Sequence, residues 1–171
     1  MSIRRAAAED ARLVASLATV TFYEAYFEQD DPHDMADYLA ETFPVEKIAA
    51  ELADPSSHFF IAHRRGRAVG YAKMRDGDPH DSVTSPKPIE LQRIYTVERV
   101  WGTGAGEALL RHCLEFARAL GKDSVWLGVW EENPRAIAFY TKHGFERVGT
   151  LEFPYGDTVG INAVMQVYLT A

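Results

Sequence analysis

From Glu90 to Phe145 the chain reads ELQRIYTVERVWGTGAGEALLRHCLEFARALGKDSVWLGVWEENPRAIAFYTKHGF. Its apolar and glycine patterns predict a strand over residues 90–97, a glycine loop, an amphipathic helix opened by Gly106, a strand over 125–130 and a further helix. The first amides of a helix have no helical acceptor, and the helix dipole is positive at that end. The stretch therefore predicts an anion site, most simply for phosphate, at the loop.

The three alternating glycines Gly102, Gly104 and Gly106 do not fit the common nucleotide motifs. A dinucleotide fingerprint would need glycine at position 107, where Glu107 stands, and a nucleoside triphosphate loop would need Gly-Lys-Ser/Thr, which the chain lacks. A tight turn between strand and helix explains one glycine, but explains three poorly. The loop is thus best interpreted as a phosphate site of another kind.

The rest of the chain predicts further strands and helices around this stretch. Pro32 suits the first position of a second helix, and Pro44 can begin a third. Residues 58–63 and 68–74 predict a hairpin that turns at Gly66, and 76–88 predicts a mobile loop. Further predictions are a first strand at 3–5, a helix from Ala8 to about Phe27, and two last strands, 145–153 and 163–169, around a turn over 154–160.

Composition is typical of one globular domain, 1–171, with 47% hydrophobic and 25% charged residues. The sequence has neither a run long enough to span a bilayer nor a secretory leader, and Cys113 is its single cysteine. We therefore expect a cytoplasmic protein without a membrane partner. A net charge of -7 argues against nucleic acid as a partner and suits a cationic ligand. Alternatively, the acidic surface only keeps the protein soluble. The six histidines show no ligand spacing, so no metal is expected.

Two runs carry a resemblance to a known family. VERVWGTGAGEALL and WLGVWEENPRAIAFYTKHGF resemble the acetyl-CoA-binding core of the GNAT superfamily of N-acetyltransferases, over nearly the whole chain. The tail FPYGDTVGINAVM is similar to that of PaiA-type spermidine/spermine acetyltransferases. The resemblance implies an α/β (α+β) fold: a mixed, mostly antiparallel twisted sheet of about seven strands, with a central splayed parallel pair and helices on both faces.

Two departures from the family pattern bear on ligands. Trp101 stands where Gln or Arg is usual, which removes a polar side chain from the phosphate loop. Backbone amides do most of the anion binding in such loops, so we expect the affinity to be tuned and not lost. Gly160 and Asn162 stand where the PaiA-type tail tends to have Gln and Asp. This difference bears more on which amine is the acceptor than on whether acetyl-CoA binds.

The resemblance also implies where acetyl-CoA binds, as a co-substrate without a metal. Its pantetheine would pair with the backbone of the first strand of the parallel pair, and its pyrophosphate would lie on the glycine loop. Asn133 matches the family asparagine that contacts the cofactor, although its position also suits a helix cap. The cofactor-binding residues implied are Ile94, Tyr95, Thr96, Trp101, Gly102, Thr103, Gly104, Ala105, Gly106, Glu107, Asn133, Arg135, Ala136 and Tyr140.

Two residues are candidates for the chemistry of acetyl transfer. A phenol stays protonated at neutral pH, so Tyr140 is the candidate acid for the departing thiolate; alternatively it is one of two core aromatics with Phe139. A primary amine is mostly protonated at pH 7 and needs a base or a desolvating pocket. Glu90 matches the strand position of the catalytic glutamate of some family members and could act through water, or it is a solvated residue at a strand start.

The acceptor site is the least determined part. Seven carboxylates lie between Glu24 and Glu41, where the family builds that site, and a polyamine would need several of them as partners. The candidates are Glu24, Glu28, Asp30 and Asp31. Most of these residues could equally belong to a solvated helix face. The resulting hypotheses are a polyamine acetyltransferase, a protein or peptide N-acetyltransferase, and a non-catalytic CoA-binding module. A homodimer is possible if the terminal strand leaves a free pairing edge.

Overall fold

The strands and helices follow one another along the chain in the order that the patterns predict. A computed structural model describes residues 1–170; Ala171, the last residue of the predicted domain, lies outside this range. In the described residues the strands are β1 (Ser2–Arg5), β2 (Ser57–Arg64), β3 (Arg67–Arg75), β4 (Pro88–Thr96), β5 (Ser124–Trp130), β6 (Glu146–Tyr155) and β7 (Thr158–Tyr168). The α-helices are α1 (Ala11–Tyr26), α2 (Pro32–Thr42), α3 (Val45–Ala53), α4 (Ala105–Ala119) and α5 (Pro134–Lys142).

Local chemistry sets most of the helix ends. The Asp31 carboxylate accepts hydrogen bonds from the amides of His33 (2.8 Å) and Asp34 (3.2 Å), and Pro32 occupies the first turn of α2. Helix α4 stops at Gly121, whose φ is +70°, a left-handed conformation that glycine adopts without a steric penalty. Pro44 is the residue before α3 and not its first member, a shift of one position from the prediction.

The seven strands form one mixed sheet in the order β1-β2-β3-β4-β5-β7-β6. Strand β1 is antiparallel to β2, and β7 is antiparallel to both β5 and β6. Strands β4 and β5 are parallel through three residue pairs, which run from Pro88 opposite Ser124 to Glu90 opposite Trp126. The predicted mixed, mostly antiparallel sheet with one parallel pair is confirmed.

The end of the chain differs from the prediction. The turn expected over 154–160 is only Gly156 and Asp157, because β6 continues to Tyr155 and β7 begins at Thr158. Proline is a turn signal, but it is tolerated on an edge strand, and Pro154 lies on β6 at the edge of the sheet. Of the two terminal strands, the last, β7, lies between β5 and β6, whereas the first, β1, lies at an edge of the sheet. The free pairing edge expected of a terminal strand is therefore found at β1 and not at β7.

The segment expected to be a mobile loop, 76–88, has no helix or strand up to residue 87, because β4 begins at Pro88, and it is well anchored. Val83 is buried and packs with Trp126 and Val164. The Ser85 hydroxyl donates to the Asp123 carboxylate, and Lys122 forms an ion pair with Asp76. Contacts with side chains that are far away in the sequence therefore hold this segment in place, although it has no regular secondary structure.

The described residues form two compact units. The first comprises Met1–Met74 and Arg93–Cys113, and the second comprises Arg75–Gln92 and the chain from Leu114 onward. The buried core of the first unit includes Val14, Phe22, Ile48, Phe59, Tyr71 and Leu109. That of the second includes Ile89, Val125, Leu127, Phe145 and Val164. Within residues 1–170, no helix is both long and apolar enough to cross a membrane.

Candidate functional site

The glycine loop lies in the first unit, between β4 and α4. Gly102 has a φ of +72° and Gly104 a φ of +84°, in the left-handed region that side chains with a Cβ rarely adopt. A Cβ built at either position would meet no atom within 4 Å. The two glycines are therefore required by the backbone conformation and not by crowding, and there is open space beside each of them.

Helix α4 begins at Ala105, one residue before the predicted start, because its first turn already closes there. Its first intrahelical bond runs from the Ala108 amide to the Gly104 carbonyl at 2.9 Å. The amides of Gly104, Ala105 and Gly106 precede that bond and have no helical acceptor. Together with the positive end of the helix dipole, they suit a phosphate or pyrophosphate.

Trp101 has a structural role in this loop. Its indole Nε1 donates a hydrogen bond to the Thr96 carbonyl, 2.9 Å away, and its backbone amide donates to Glu98 at 2.8 Å. The Thr103 hydroxyl donates to the Val100 carbonyl at 2.7 Å. The residue that departs from the family pattern thus ties the loop to the end of β4, and the anion-binding capacity is left to the backbone amides.

The end of β4, where pantetheine is expected, depends on close packing against β3. Ile94, Tyr95 and Thr96 are half-buried. A Cβ on Gly70 would lie 2.5 Å from the Tyr95 carbonyl oxygen and 2.8 Å from Thr96 Cγ2. Only glycine fits there without displacing that backbone. Sequence reasoning missed Gly70, although an isolated glycine within a strand pattern signals such a close approach.

Two of the four predicted acceptor carboxylates are engaged with backbone amides. Glu24 Oε2 accepts a hydrogen bond of 2.7 Å from the Glu98 amide, which opens the 3₁₀ turn Glu98–Val100 before the glycine loop. Asp31 caps α2, as described above. Glu28 is exposed and Asp30 is half-buried. The carboxylate of Glu24 therefore joins α1 to the turn that precedes the glycine loop, within the first unit.

A buried ionic cluster lies beneath the same part of β4. Glu51 accepts two hydrogen bonds from Arg93, at 2.7 and 3.1 Å, and its Oε2 lies 3.0 Å from Lys73 Nζ. Burial opposes ionisation of Glu51, but the hydrogen bonds and charges of Arg93 and Lys73 outweigh it and hold the pKa of this carboxyl below its usual range. Glu51 and Arg93 are 42 positions apart, so no local sequence pattern predicts their ion pair.

Two tyrosines next to this cluster are kept neutral. Tyr71 is fully buried, and its hydroxyl has no hydrogen-bond partner among the described residues. Burial raises the pKa of Tyr71 and, with the neighbouring Tyr26, that of Tyr95 well above the ordinary value. The Tyr95 and Tyr26 hydroxyls lie 3.4 Å apart. Neither phenol is therefore available as an ionised base near neutral pH.

The second unit holds the other predicted residues, on and before α5. Asn133 Oδ1 accepts a hydrogen bond from the Ala136 amide at 3.0 Å, which confirms the predicted cap, and Pro134 fills the first turn. Tyr140 is half-buried in the last turn of α5 and contacts two aromatic rings edge-on, with centroids 5.3 Å (Phe139) and 5.5 Å (Phe145) away. These two contacts fix the ring by packing. Arg135 is exposed and Ala136 is half-buried on the same helix.

Glu90 is held by an ion pair. Its Oε2 accepts from Arg75 Nε at 3.0 Å and lies 2.8 Å from Arg75 Nη2, and the side chain is only 15% exposed. The residue is therefore not the solvated strand start that the sequence left open as an alternative. Because Arg75 occupies Oε2, only Oε1 remains for any proton transfer.

Cys113 is fully buried on α4, and burial raises the pKa of its thiol. The prediction that it is a core residue is confirmed. Across residues 1–170, no group of three or more His, Cys, Asp or Glu side chains is arranged to hold a metal ion.

Comparisons with known proteins identify the family of this chain. Residues 16–145 match the model of the acetyltransferase (GNAT) family, so the chain belongs to that family and the predicted enzyme class is confirmed. An N-acetyltransferase from Lactobacillus delbrueckii subsp. lactis is 32% identical over 142 residues, which cover 83% of this chain and 82% of the relative. The N-alpha-acetyltransferase RimI of Mycobacterium tuberculosis is 36% identical over 109 residues, 64% of this chain and 65% of RimI.

Among solved structures, the PaiA N-acetyltransferase from Thermoplasma acidophilum, in complex with coenzyme A, superimposes with a TM-score of 0.79. The match covers 98% of both chains at 19% sequence identity. At this identity the likeness establishes the fold, whereas the resemblance to the PaiA subgroup remains a prediction.

Proposed function

We propose that the protein transfers the acetyl group of acetyl-CoA to a primary amine by direct attack of the amine on the thioester. The observation that carries this proposal is the glycine loop: left-handed Gly102 and Gly104, with open space beside them, precede the first amides of α4, which have no helical acceptor. That arrangement fits a pyrophosphate, which is the anionic group of coenzyme A. The backbone of Ile94, Tyr95 and Thr96 is the proposed partner of pantetheine.

Tyr140 is the proposed acid. As the amine adds to the thioester carbonyl and the carbon–sulfur bond breaks, the thiolate needs a proton, and a neutral phenol supplies it. The edge-on contacts that fix the ring support this role. Asn133 and the exposed Arg135 are proposed cofactor contacts on the same helix, and the cap made by Asn133 is compatible with a second hydrogen bond from its amide nitrogen.

Glu90 is the proposed acceptor of the amine's proton, through a water molecule. The ion pair with Arg75 leaves Oε1 for that task and keeps the carboxylate oriented. A water relay suits a side chain that is mostly buried. Replacing Glu90 by Gln removes the basicity and keeps the shape, so the variant should lose turnover most strongly at low pH, where fewer amine molecules are already neutral.

A polyamine of the spermidine or spermine class is the proposed acceptor. Several ammonium groups need several carboxylates, and the segment from Glu28 to Glu41 supplies Glu28, Asp30, Asp31, Asp34, Asp37 and Glu41. A second candidate is the N-terminal amine of a basic peptide, which the similarity to RimI favours. The same acidic segment would then recognise basic residues of the peptide.

Thiol release from acetyl-CoA, measured with a panel of amines, tests the proposal. The panel comprises spermidine, spermine, peptides with a free N-terminus, lysine peptides and aminoglycosides. The polyamine hypothesis predicts the highest kcat/KM with spermidine or spermine, and competition between spermidine and peptides separates the two acceptor classes. Tight coenzyme A binding with no thiol release for any amine would instead support a non-catalytic CoA-binding module.

A further inference from the structure

Glu24 lies in the last turn of α1, a place that its own helix does not favour. The carbonyl end of a helix is the negative end of its dipole, so a carboxylate there is destabilising. Helix α1 has no basic residue in its last turn that would offset this charge. A half-buried carboxylate in this position therefore needs a stabilising partner from another element.

That partner is the 3₁₀ turn Glu98–Val100, which leads from β4 towards the glycine loop. The turn begins after Val97, whose apolar side chain cannot accept a hydrogen bond from the first amides of the turn. The Glu24 carboxylate does so instead, because its Oε2 accepts from the Glu98 amide at 2.7 Å. A hydrogen bond to an ionised acceptor is shorter and stronger than one between neutral groups. Glu24 thus caps a turn that lies 74 positions further along the chain.

The capped turn holds the backbone that enters the glycine loop. The Val100 amide donates to the Val97 carbonyl at 3.1 Å, and the Trp101 amide donates to the Glu98 carbonyl at 2.8 Å. Beyond the turn, the Thr103 amide donates to the Val100 carbonyl at 3.2 Å. These bonds link residues 97 to 103 in one series. A displacement of the Glu98 amide would therefore also move the left-handed glycines on either side of Thr103.

The end of α1 also contacts β4, at Tyr95. The Tyr26 hydroxyl lies 3.4 Å from the Tyr95 hydroxyl, and the centroids of the Phe22 and Tyr95 rings are 6.3 Å apart. Both of these contacts join side chains, whereas the Glu24 bond is made to the backbone next to the loop. Of these three α1 residues, Glu24 is thus the one placed to set the path of the loop backbone.

We propose that Glu24 is a positioning residue for acetyl-CoA and not one of the carboxylates that bind the acceptor. Its carboxylate holds the turn Glu98–Val100, and through this turn the glycine loop, in the conformation that receives the pyrophosphate. This role rests on the proposed function of the loop as the pyrophosphate site. It differs from the expectation from the sequence, in which Glu24 binds an ammonium group of the acceptor.

The two roles require different properties of the side chain. A cap requires an oxygen acceptor at the right distance from the Glu98 amide, which Gln supplies without a charge, whereas Asp is one methylene too short to reach it. An ammonium site requires a negative charge, which Asp keeps and Gln loses. Glu24→Gln and Glu24→Asp should therefore rank in opposite orders under the two roles.

Calorimetric titration with coenzyme A tests the positioning role, together with steady-state kinetics on acetyl-CoA and spermidine, or on the amine of the panel with the highest kcat/KM. Glu24→Ala and Glu24→Asp should raise the Kd for coenzyme A and the KM for acetyl-CoA by about three- to tenfold, and leave the KM for the amine within about twofold. Glu24→Gln should stay within about twofold of the wild type in all three constants. Glu115→Ala, which removes an exposed carboxylate of α4, is the matched control and should change none of them.

Two results would overturn the positioning role. One is an unchanged affinity of Glu24→Ala for coenzyme A. The other is a Glu24→Asp chain that behaves like the wild type, while Glu24→Gln and Glu24→Ala both raise the KM for the amine. Misfolding would lower the active fraction and hence kcat, but it would not raise one KM alone.

The calorimetric readout separates this role from the proposed function. A wild type that binds coenzyme A but acetylates no amine would contradict acetyl transfer, and the Kd values of the Glu24 variants would still decide the role of Glu24. A wild type that binds no coenzyme A would overturn both.

Discussion

Gly70→Ala should disturb both the fold and the cofactor site through one contact. The new Cβ would lie 2.5 Å from the Tyr95 carbonyl oxygen, and Thr96 Cγ2 would be 2.8 Å away. Real Cβ contacts essentially never fall under 3.0 Å, so β3 or the end of β4 must shift by at least half an ångström. Overpacking of this kind costs about 1–3 kcal/mol. For a chain of this length that corresponds to a fall in Tm of roughly 2–12 °C.

The same shift moves the backbone proposed to bind pantetheine. Loss or misalignment of one such hydrogen bond, worth about 1 kcal/mol, should raise the KM for acetyl-CoA by roughly fivefold. Calorimetry and steady-state kinetics measure the two effects. The control is Gly77→Ala, where a Cβ meets nothing within 4 Å and φ is not in the left-handed region, so Tm and KM should stay within error or Tm should rise slightly. If Gly70→Ala behaves like Gly77→Ala, the close approach of β3 to β4 is not needed for stability or for binding.

Three further predictions address the acid, the loop and pH. Tyr140→Phe should lower kcat by about 10²-fold or more and leave the KM for acetyl-CoA nearly unchanged, and an unchanged kcat would exclude Tyr140 as the acid. Gly104→Ala and Gly66→Ala both impose a left-handed alanine, so both should destabilise by about 1–2 kcal/mol, but only Gly104→Ala should weaken acetyl-CoA binding in calorimetric titration. The hydrogen bond from Arg4 lowers the pKa of Asp10 to about 2, so this pair stabilises the fold above pH 3.8 and loses that effect as pH falls through 2. Asp10→Asn should therefore lower the free energy of unfolding in urea by roughly 1 kcal/mol at pH 7 and by little at pH 2. The expected loss at pH 7 is small because Arg4 is half exposed, and solvent screens the pair.

Features governed by neighbouring residues could be predicted from the sequence. Asn133 with Pro134 specified the start of α5, and Gly121 specified the end of α4, because capping and left-handed turns depend only on residues a few positions away. The seven-stranded mixed sheet followed from the resemblance to the GNAT family. The glycine loop was predicted from three glycines, two of which, Gly102 and Gly104, have a left-handed backbone conformation.

Features that depend on distant partners could not be predicted. Pro154 was interpreted as a turn because its place on an edge strand is a property of the whole sheet. Trp101 was interpreted as the loss of a polar group, since nothing in the sequence shows that its indole reaches the Thr96 carbonyl. Glu24 was interpreted as a candidate acceptor residue, and nothing in the sequence shows that its carboxylate accepts a hydrogen bond from the Glu98 amide, 74 positions away.

The most direct test of the account is acetyl transfer to amines by the purified full chain. With acetyl-CoA and spermidine or spermine, thiol release should be saturable in both substrates, and mass spectrometry should find the acceptor heavier by one acetyl group. Tyr140→Phe, assayed beside the wild type, should bind acetyl-CoA with similar affinity and release little thiol. No transfer to any amine of the panel, by a chain that binds coenzyme A, would contradict the central claim that this loop and helix serve an N-acetyltransferase.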